Sequence, residues 1–126
     1  MALTHSTAMR NVLADAVDTA INTGSGTATL VIKDSSTVLA TINLQNPAFG
    51  ASSSGTITLA GVPLEDASAD GTGTADSFDI EDRDGTVVVS GTVTATSGGG
   101  DIELDNTSIN ATQSVAITSL TYSAPA

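Results

Sequence analysis

Carboxylates are the most concentrated reactive side chains in this sequence, and they gather in two short stretches. The first, "SFDIEDRDGTVVVSG" (residues 77–91), holds Asp79, Glu81, Asp82 and Asp84 immediately before a glycine. A group of this kind could bind calcium, act as an acid–base pair, or lie on a turn between two strands. Each function requires a different local structure, so the spacing of the residues decides between them.

A calcium loop of the EF-hand type needs oxygen ligands at positions 1, 3 and 5, glycine at position 6 and glutamate at position 12. With Gly85 at the sixth position, Asp82 and Asp84 fall on the third and fifth. The first and twelfth positions are then Ile80 and Gly91, and neither has a side-chain oxygen. The flanking residues also alternate as in strands, so the spacing argues against a calcium loop.

The dipeptide Asp84–Gly85 favours a two-residue hairpin turn, because both residues tolerate positive φ angles. The turn predicts three cross-strand pairs: Arg83 with Thr86, Asp82 with Val87, and Ile80 with Val89. It also predicts one apolar and one polar face: Phe78, Ile80 and Val89 inside, and Asp79, Glu81 and Ser90 in water. A slip of one residue would bury unpaired carboxylates, which fixes this register.

The second acidic stretch is "DIELD", in which Asp101, Glu103 and Asp105 alternate with Ile102 and Leu104. The alternation predicts a strand with one polar and one apolar face. Its carboxylates could bind a cation, or act as a glycosidase pair, but the chain has only three aromatic residues with which to grip a sugar. We therefore expect no catalytic, cofactor-binding or metal-ligating residues, and a calcium- or glycan-binding module is the weakest alternative.

Other reactive groups are sparse. His5 is the only histidine and precedes the first predicted element, so a Ser–His–Asp triad has no well-placed base. The glycine-rich stretches "GTGT" and "SGGG" lack the lysine and the strand-to-helix context of a phosphate-binding loop. We predict that both stretches are turns and that the chain is not an enzyme.

The net charge of −11 is divided unevenly along the 126 residues. Residues 1–60 contain three acids and two bases, a balance of −1, whereas residues 61–126 contain eleven acids and one base, a balance of −10. Three basic residues in the whole chain cannot form a surface that follows nucleic-acid phosphates or an anionic membrane. Cysteine is absent, which excludes disulfides and thiolate sites.

One helix is predicted near residues 6–22, capped by Ser6 or Thr4 and ended by Gly24. Its apolar residues recur at three- and four-residue intervals and form a stripe: Met9, Val12, Leu13, Ala16, Val17, Ala20 and Ile21. An amphipathic helix must lie on an apolar surface. That surface is either the domain's own sheet or a partner protein.

After Gly24 the apolar period changes to two, which predicts strands. A hairpin is expected over 27–44, with Val38, Ala40, Ile42 and Leu44 on one face. Phe49 anchors the following loop, and further strands are expected in "TITLAGVPL" and "SVAITSLTY", separated by an acidic loop. The predicted fold is mainly β: an antiparallel β-sandwich, jelly-roll or Ig-like, with one N-terminal amphipathic helix. A single domain is expected over 1–126, with an arm and helix in 1–24 and the sandwich in 25–126.

The order of the landmarks along the chain resembles that of small virion proteins of tailed bacteriophages. The landmarks are "MALT", "RNVLADAVD", "GSGTATLVI", "NPAFG", "DASADGTGTA", "DRDGTVVVSGTV" and "LDNTSINATQSVAITSLTYS". The resemblance covers nearly the whole chain and implies a capsid decoration (cement) protein, with a neck or tail position as the alternative. It further implies a homo-oligomer that contacts the major capsid protein or another virion protein, in a virion assembled in the host cytoplasm. It assigns no functional residues.

Overall fold

The computed structural model describes residues 3–124, so the outermost residues of the predicted 1–126 domain and 1–24 arm lie outside the described part. The protein is mainly β, with one short helix. Its elements in chain order are α1 (Thr7–Ile21), β1 (Thr29–Asp34), β2 (Thr37–Asn43), β3 (Thr56–Thr58), β4 (Leu64–Asp66), β5 (Gly73–Thr74), β6 (Ser77–Glu81), β7 (Val87–Ala95), β8 (Ile102–Leu104), β9 (Ser108–Ile109), β10 (Val115–Ile117) and β11 (Thr121–Ser123).

The predicted helix is confirmed, and α1 begins one residue after its cap. Ser6 has an extended backbone, and its hydroxyl accepts the amide of Met9 at 3.1 Å. Asn22 ends the helix, and Gly24 follows with φ at +117°, a conformation that favours glycine. No helix among residues 3–124 is long and apolar enough to cross a membrane.

The main sheet has five strands in the order β2-β1-β6-β7-β8 and curls into half of a barrel. The β4–β10 ribbon contacts β2 at one edge of the half-barrel and β8 at the other. Two further ribbons, β3–β11 and β5–β9, complete the described strands, and α1 packs against β3 and β7. A sandwich of two facing sheets is therefore not confirmed.

Two features of the strands differ from the expectation. Each of the stretches "TITLAGVPL" and "SVAITSLTY" contributes to two strands, the first to β3 and β4 and the second to β10 and β11. β3 pairs with β11, and β4 pairs with β10. The strand in "DIELD", β8, runs parallel to β7 instead of antiparallel. The first difference arises from pairing between segments distant in sequence, whereas β7 and β8 are consecutive strands.

The β1–β2 hairpin is confirmed, with its turn at Ser35, but one of its predicted core residues is wrong. A bulge opposite Ile32 and Lys33 adds one residue to β2. Leu39 takes the inward position and is fully buried, while Val38 is 41% exposed. A single extra residue reverses the alternation, because successive side chains of a strand point to opposite faces.

Candidate functional site

The acidic stretch at residues 82–86 is a turn, as predicted, but a longer one than Asp84–Gly85 alone. Ile80 pairs with Val89 as expected, whereas the predicted pair of Asp82 with Val87 is wrong. A bulge pairs Val87 with Glu81 and frees Asp82 from the ladder. The Asp82 carboxylate then accepts the backbone N–H groups of Asp84 and Thr86, both at 2.9 Å. This carboxylate therefore stabilises the turn.

The tip of the same hairpin is fastened to the loop that follows α1. The N–H of Arg83 donates to Thr23 O at 2.9 Å, and the N–H of Gly26 donates to Arg83 O at 2.9 Å. The Asp84 carboxylate accepts the N–H of Ser25 at 3.2 Å. A Cβ atom at Gly26 would lie 2.5 Å from the Arg83 carbonyl oxygen, so only glycine permits this approach. The acidic turn thus joins the helix to the main sheet.

A polar row crosses three strands on one face of the sheet. The Asp79 carboxylate on β6 accepts the Ser90 hydroxyl of β7 at 2.6 Å and the Lys33 ammonium of β1 at 3.1 Å. The Ser90 hydrogen bond is the largest cause holding the pKa of Asp79 below its ordinary value of 3.8. The Lys33 ammonium lowers this pKa further, while burial acts in the opposite direction. Asp79 is therefore a fixed anion that ties the strands together.

This row gives a pH prediction. Because folding lowers the pKa of Asp79, its ionised form stabilises the protein above pH 3.8, and the contribution is lost as the pH falls through the folded pKa. We expect Ser90→Ala and Lys33→Met each to raise the pKa of Asp79 towards its ordinary value, as measured by carboxyl NMR titration. The exposed control Ser119→Ala should leave it unchanged. An unchanged pKa of Asp79 in Ser90→Ala would contradict this prediction.

The "DIELD" strand has the predicted polar and apolar faces: Ile102 and Leu104 are buried, and the three carboxylates are exposed. Each carboxylate accepts hydrogen bonds from the preceding turn or strand. Asp101 accepts the N–H of Thr92 at 3.0 Å; Glu103 accepts those of Ser97 at 3.2 Å and Gly99 at 3.1 Å; and Asp105 accepts the Thr96 hydroxyl at 3.3 Å. Glu103 therefore holds the "SGGG" turn in place, while Asp101 and Asp105 bind Thr92 of β7 and Thr96 just after it.

Neither a metal site nor a catalytic triad assembles from the predicted acids and histidine. Within residues 3–124, no group of three or more His, Asp or Glu side chains could hold a metal ion. His5 is half-buried ahead of α1, and no hydrogen bond in the described chain joins it to a serine or a carboxylate. The two acidic stretches form instead strands β6 and β8 and the turns beside them.

The sequence did not predict a cleft with a volume of about 470 Å³. All three aromatic residues of the chain line it: Phe49 from a loop, Phe78 from β6 and Tyr122 from β11. Val17 and Ile21 of α1 form another wall, and Ser90 and Asp101 provide polar groups. We call it the aromatic cleft. No local motif predicts it, although the scarcity of aromatics is a signal that the three could cluster.

A second surface lies on the outer side of α1. Its predicted apolar stripe is divided: Ile21 is buried, and Leu13 and Val17 pack partly against the core. The side chains of the other edge are in solvent, with Met9 43% and Val12 58% exposed. Leu3, just before the helix, is 77% exposed. We call Leu3, Met9 and Val12 the helix strip.

The helix strip and the aromatic cleft are thus two candidate binding surfaces. The strip is apolar, and the cleft combines apolar and aromatic side chains with the polar groups of Ser90 and Asp101. Comparisons with protein-family models, curated proteins and solved structures found no match to this chain.

Proposed function

We propose that this chain is a non-enzymatic structural protein of a tailed-bacteriophage virion, where it decorates and cements the outside of the capsid. The proposal rests on the order of sequence landmarks along the chain and on the helix strip. A neck or tail position is the alternative, since the same surface would serve there. A calcium- or glycan-binding module is less favoured, because several carboxylates in each acidic stretch accept hydrogen bonds from neighbouring turns and strands.

The helix strip is the observation that carries the proposal. Met9 and Val12 are three residues apart on α1 and therefore neighbours on the helix surface. They belong to the half of the sequence whose charges nearly balance, and apolar contact areas with few charges are typical of the centres of protein interfaces. Another virion protein, either the major capsid protein or a second copy of this chain, covers the strip in the proposed assembly.

The acidic half of the chain has a complementary role in this proposal. Residues 61–126 carry a balance of −10, which repels nucleic acid and other acidic particles. The proposed protein therefore binds neither nucleic acid nor membrane. Assembly as a homo-oligomer multiplies individually weak contacts with the shell. As part of the same proposal, the short ribbons act as the second layer of a sandwich over the five-stranded sheet.

The number of copies per particle tests this function. A decoration protein should be present at a copy number of the same order as that of the major capsid protein, because it follows the symmetry of the shell. Quantitative mass spectrometry of purified particles measures this ratio, with the major capsid protein as internal standard. About a dozen copies or fewer would instead indicate the neck or tail. Absence of the protein from purified particles would overturn a virion function.

A further inference from the structure

The first half of β7 has a strand on one side only. β8 pairs with β7 through Val93–Ala95, so residues 87–92 pair with β6 alone. Thr92 directs its N–H away from β6, towards the Asp101 carboxylate at 3.0 Å. Backbone groups alternate in direction along a strand, so Ser90 directs its N–H and C=O to the same open edge. Outside the β6–β7 ladder, neither group of Ser90 has a backbone hydrogen-bond partner among the described residues.

This edge lacks the usual protection against pairing with another chain. Natural edge strands carry lysine, proline or inward-pointing charges. β7 contains no charged residue and no proline, and its first residues are three consecutive valines, of which Val87 is 49% exposed. Asp101 blocks only the position of Thr92. An uncharged, β-branched edge of this kind is suited to receive a strand.

The aromatic cleft lies beside the open edge. Val89 and Ser90 of β7 belong to its lining, and residues 120–123, which include β11, form another part. A strand added to β7 would direct every second side chain into the cleft, because side chains alternate between the faces of a sheet. The cleft volume of about 470 Å³ is within the range of pockets that accept ligand groups. Backbone pairing with β7 and burial of side chains in the cleft would therefore both stabilise a bound strand.

The charges indicate what kind of strand fits. The charged group in the cleft lining is the carboxylate of Asp101. A second copy of this chain would bring a further net charge of −11 to the same place. A segment with a lysine or arginine near Asp101 would instead gain an ion pair. We propose that the open edge of β7 and the aromatic cleft together bind an extended segment of a different protein, with alternating apolar side chains and a basic residue facing Asp101.

This site is separate from the helix strip, so it can be tested on the isolated protein. The probe is an acetylated, amidated peptide that alternates Val and Thr and carries one terminal Lys. Hydrogen exchange followed by NMR should show slower exchange of the Ser90 amide when the peptide is added, with shifts at Val89 and Tyr122. A peptide with Glu in place of Lys should bind more weakly. A peptide with a central Pro, which removes a backbone donor, should not bind.

Two variants separate edge pairing from unspecific adsorption. Val89→Lys places a charge in the cleft lining and should abolish binding, whereas Val38→Lys, on β2, should not. Asp101→Asn keeps the side-chain shape and removes the charge, so the Lys and Glu peptides should then bind equally well. Circular dichroism confirms that each variant is folded. The Asp101→Asn result remains decisive if Val89→Lys does not fold.

Three results would overturn the proposal. Binding of the Lys peptide without slower exchange at Ser90 would mean that the edge is not used. Protection of Ser90 on self-association alone, without peptide, would identify a second copy as the occupant. Binding of the dye 8-anilinonaphthalene-1-sulfonate in the cleft with no response to the peptide would identify a small-molecule pocket.

Discussion

Replacement of Phe49 by Ala is expected to lower the free energy of unfolding by about 3–5 kcal/mol, the usual cost of truncating a buried phenylalanine. Phe49 is 2% exposed and lies in the loop between β2 and β3. Because folded interiors are closely packed, the side chains around Phe49 can fill the resulting cavity only in part. The cavity would also join the aromatic cleft, which Phe49 lines.

The loop of Phe49 is held to α1 as well as to the core. The N–H of Phe49 donates to the Asp18 carboxylate at 3.0 Å, and the N–H of Ala48 donates to the Asn22 side chain at 2.9 Å. Loss of the aromatic ring should therefore loosen the contact between the helix and the sheet in addition to removing apolar burial. We expect this effect to appear as lower amide protection in the second half of α1.

Urea denaturation measures the change in free energy. The matched control is Val38→Ala, because Val38 is 41% exposed and its truncation should change stability by about 0.5 kcal/mol or less. A loss below about 1 kcal/mol in Phe49→Ala would show that the loop contributes little to the core. It would also remove the basis for treating the aromatic cleft as a preformed site.

Local signals in the sequence predicted those parts of the fold that local interactions determine. The 3.6-residue period and the Ser6 cap give α1, and alternation around a polar turn gives the β1–β2 hairpin. The pair of Ile80 with Val89 and the two faces of "DIELD" follow from the same alternation. In each case a register shift would have exposed apolar groups or buried charged ones.

The bulges could not be predicted, because the sequence is ambiguous where they occur. Val38 and Leu39 are both apolar, so alternation alone does not show which of them faces the core. The run from Val87 to Val89 has the same ambiguity. Only the packing of neighbouring strands decides which residue is the extra one.

The candidate sites were less predictable than the fold. The aromatic cleft unites a loop, β6 and β11, and its members are far apart in the sequence. Its position depends on the long-range pairing of β11 with β3, and on β8 pairing with only the end of β7. The helix stripe was visible in the sequence, but its division into a buried and an exposed edge depends on the angle at which α1 meets β3 and β7.

The double variant Met9→Glu/Val12→Glu is expected to fold normally and to be absent from assembled particles. Both side chains are substantially exposed, so the substitutions should change stability by about 0.5 kcal/mol each or less. In the proposed assembly, however, both positions lie against another protein, and burial of two unpaired carboxylates there is strongly unfavourable. Incorporation is measured by complementing phage that lack the protein and quantifying its copies in purified particles.

The matched control is Thr7→Glu/Ser119→Glu, which adds the same charge to exposed positions outside the helix strip. This control should be incorporated at the wild-type copy number, so that any loss in the first variant reflects the strip and not the added charge. Equal incorporation of the two variants would show that the strip makes no contact in the particle. Loss of both would indicate that general repulsion between acidic surfaces prevents assembly. Loss of the Met9→Glu/Val12→Glu variant alone, with unchanged thermal stability, would assign the outer edge of α1 to the interface with the shell. The two variants carry the same added charge, so the position of that charge would then be the cause of the loss.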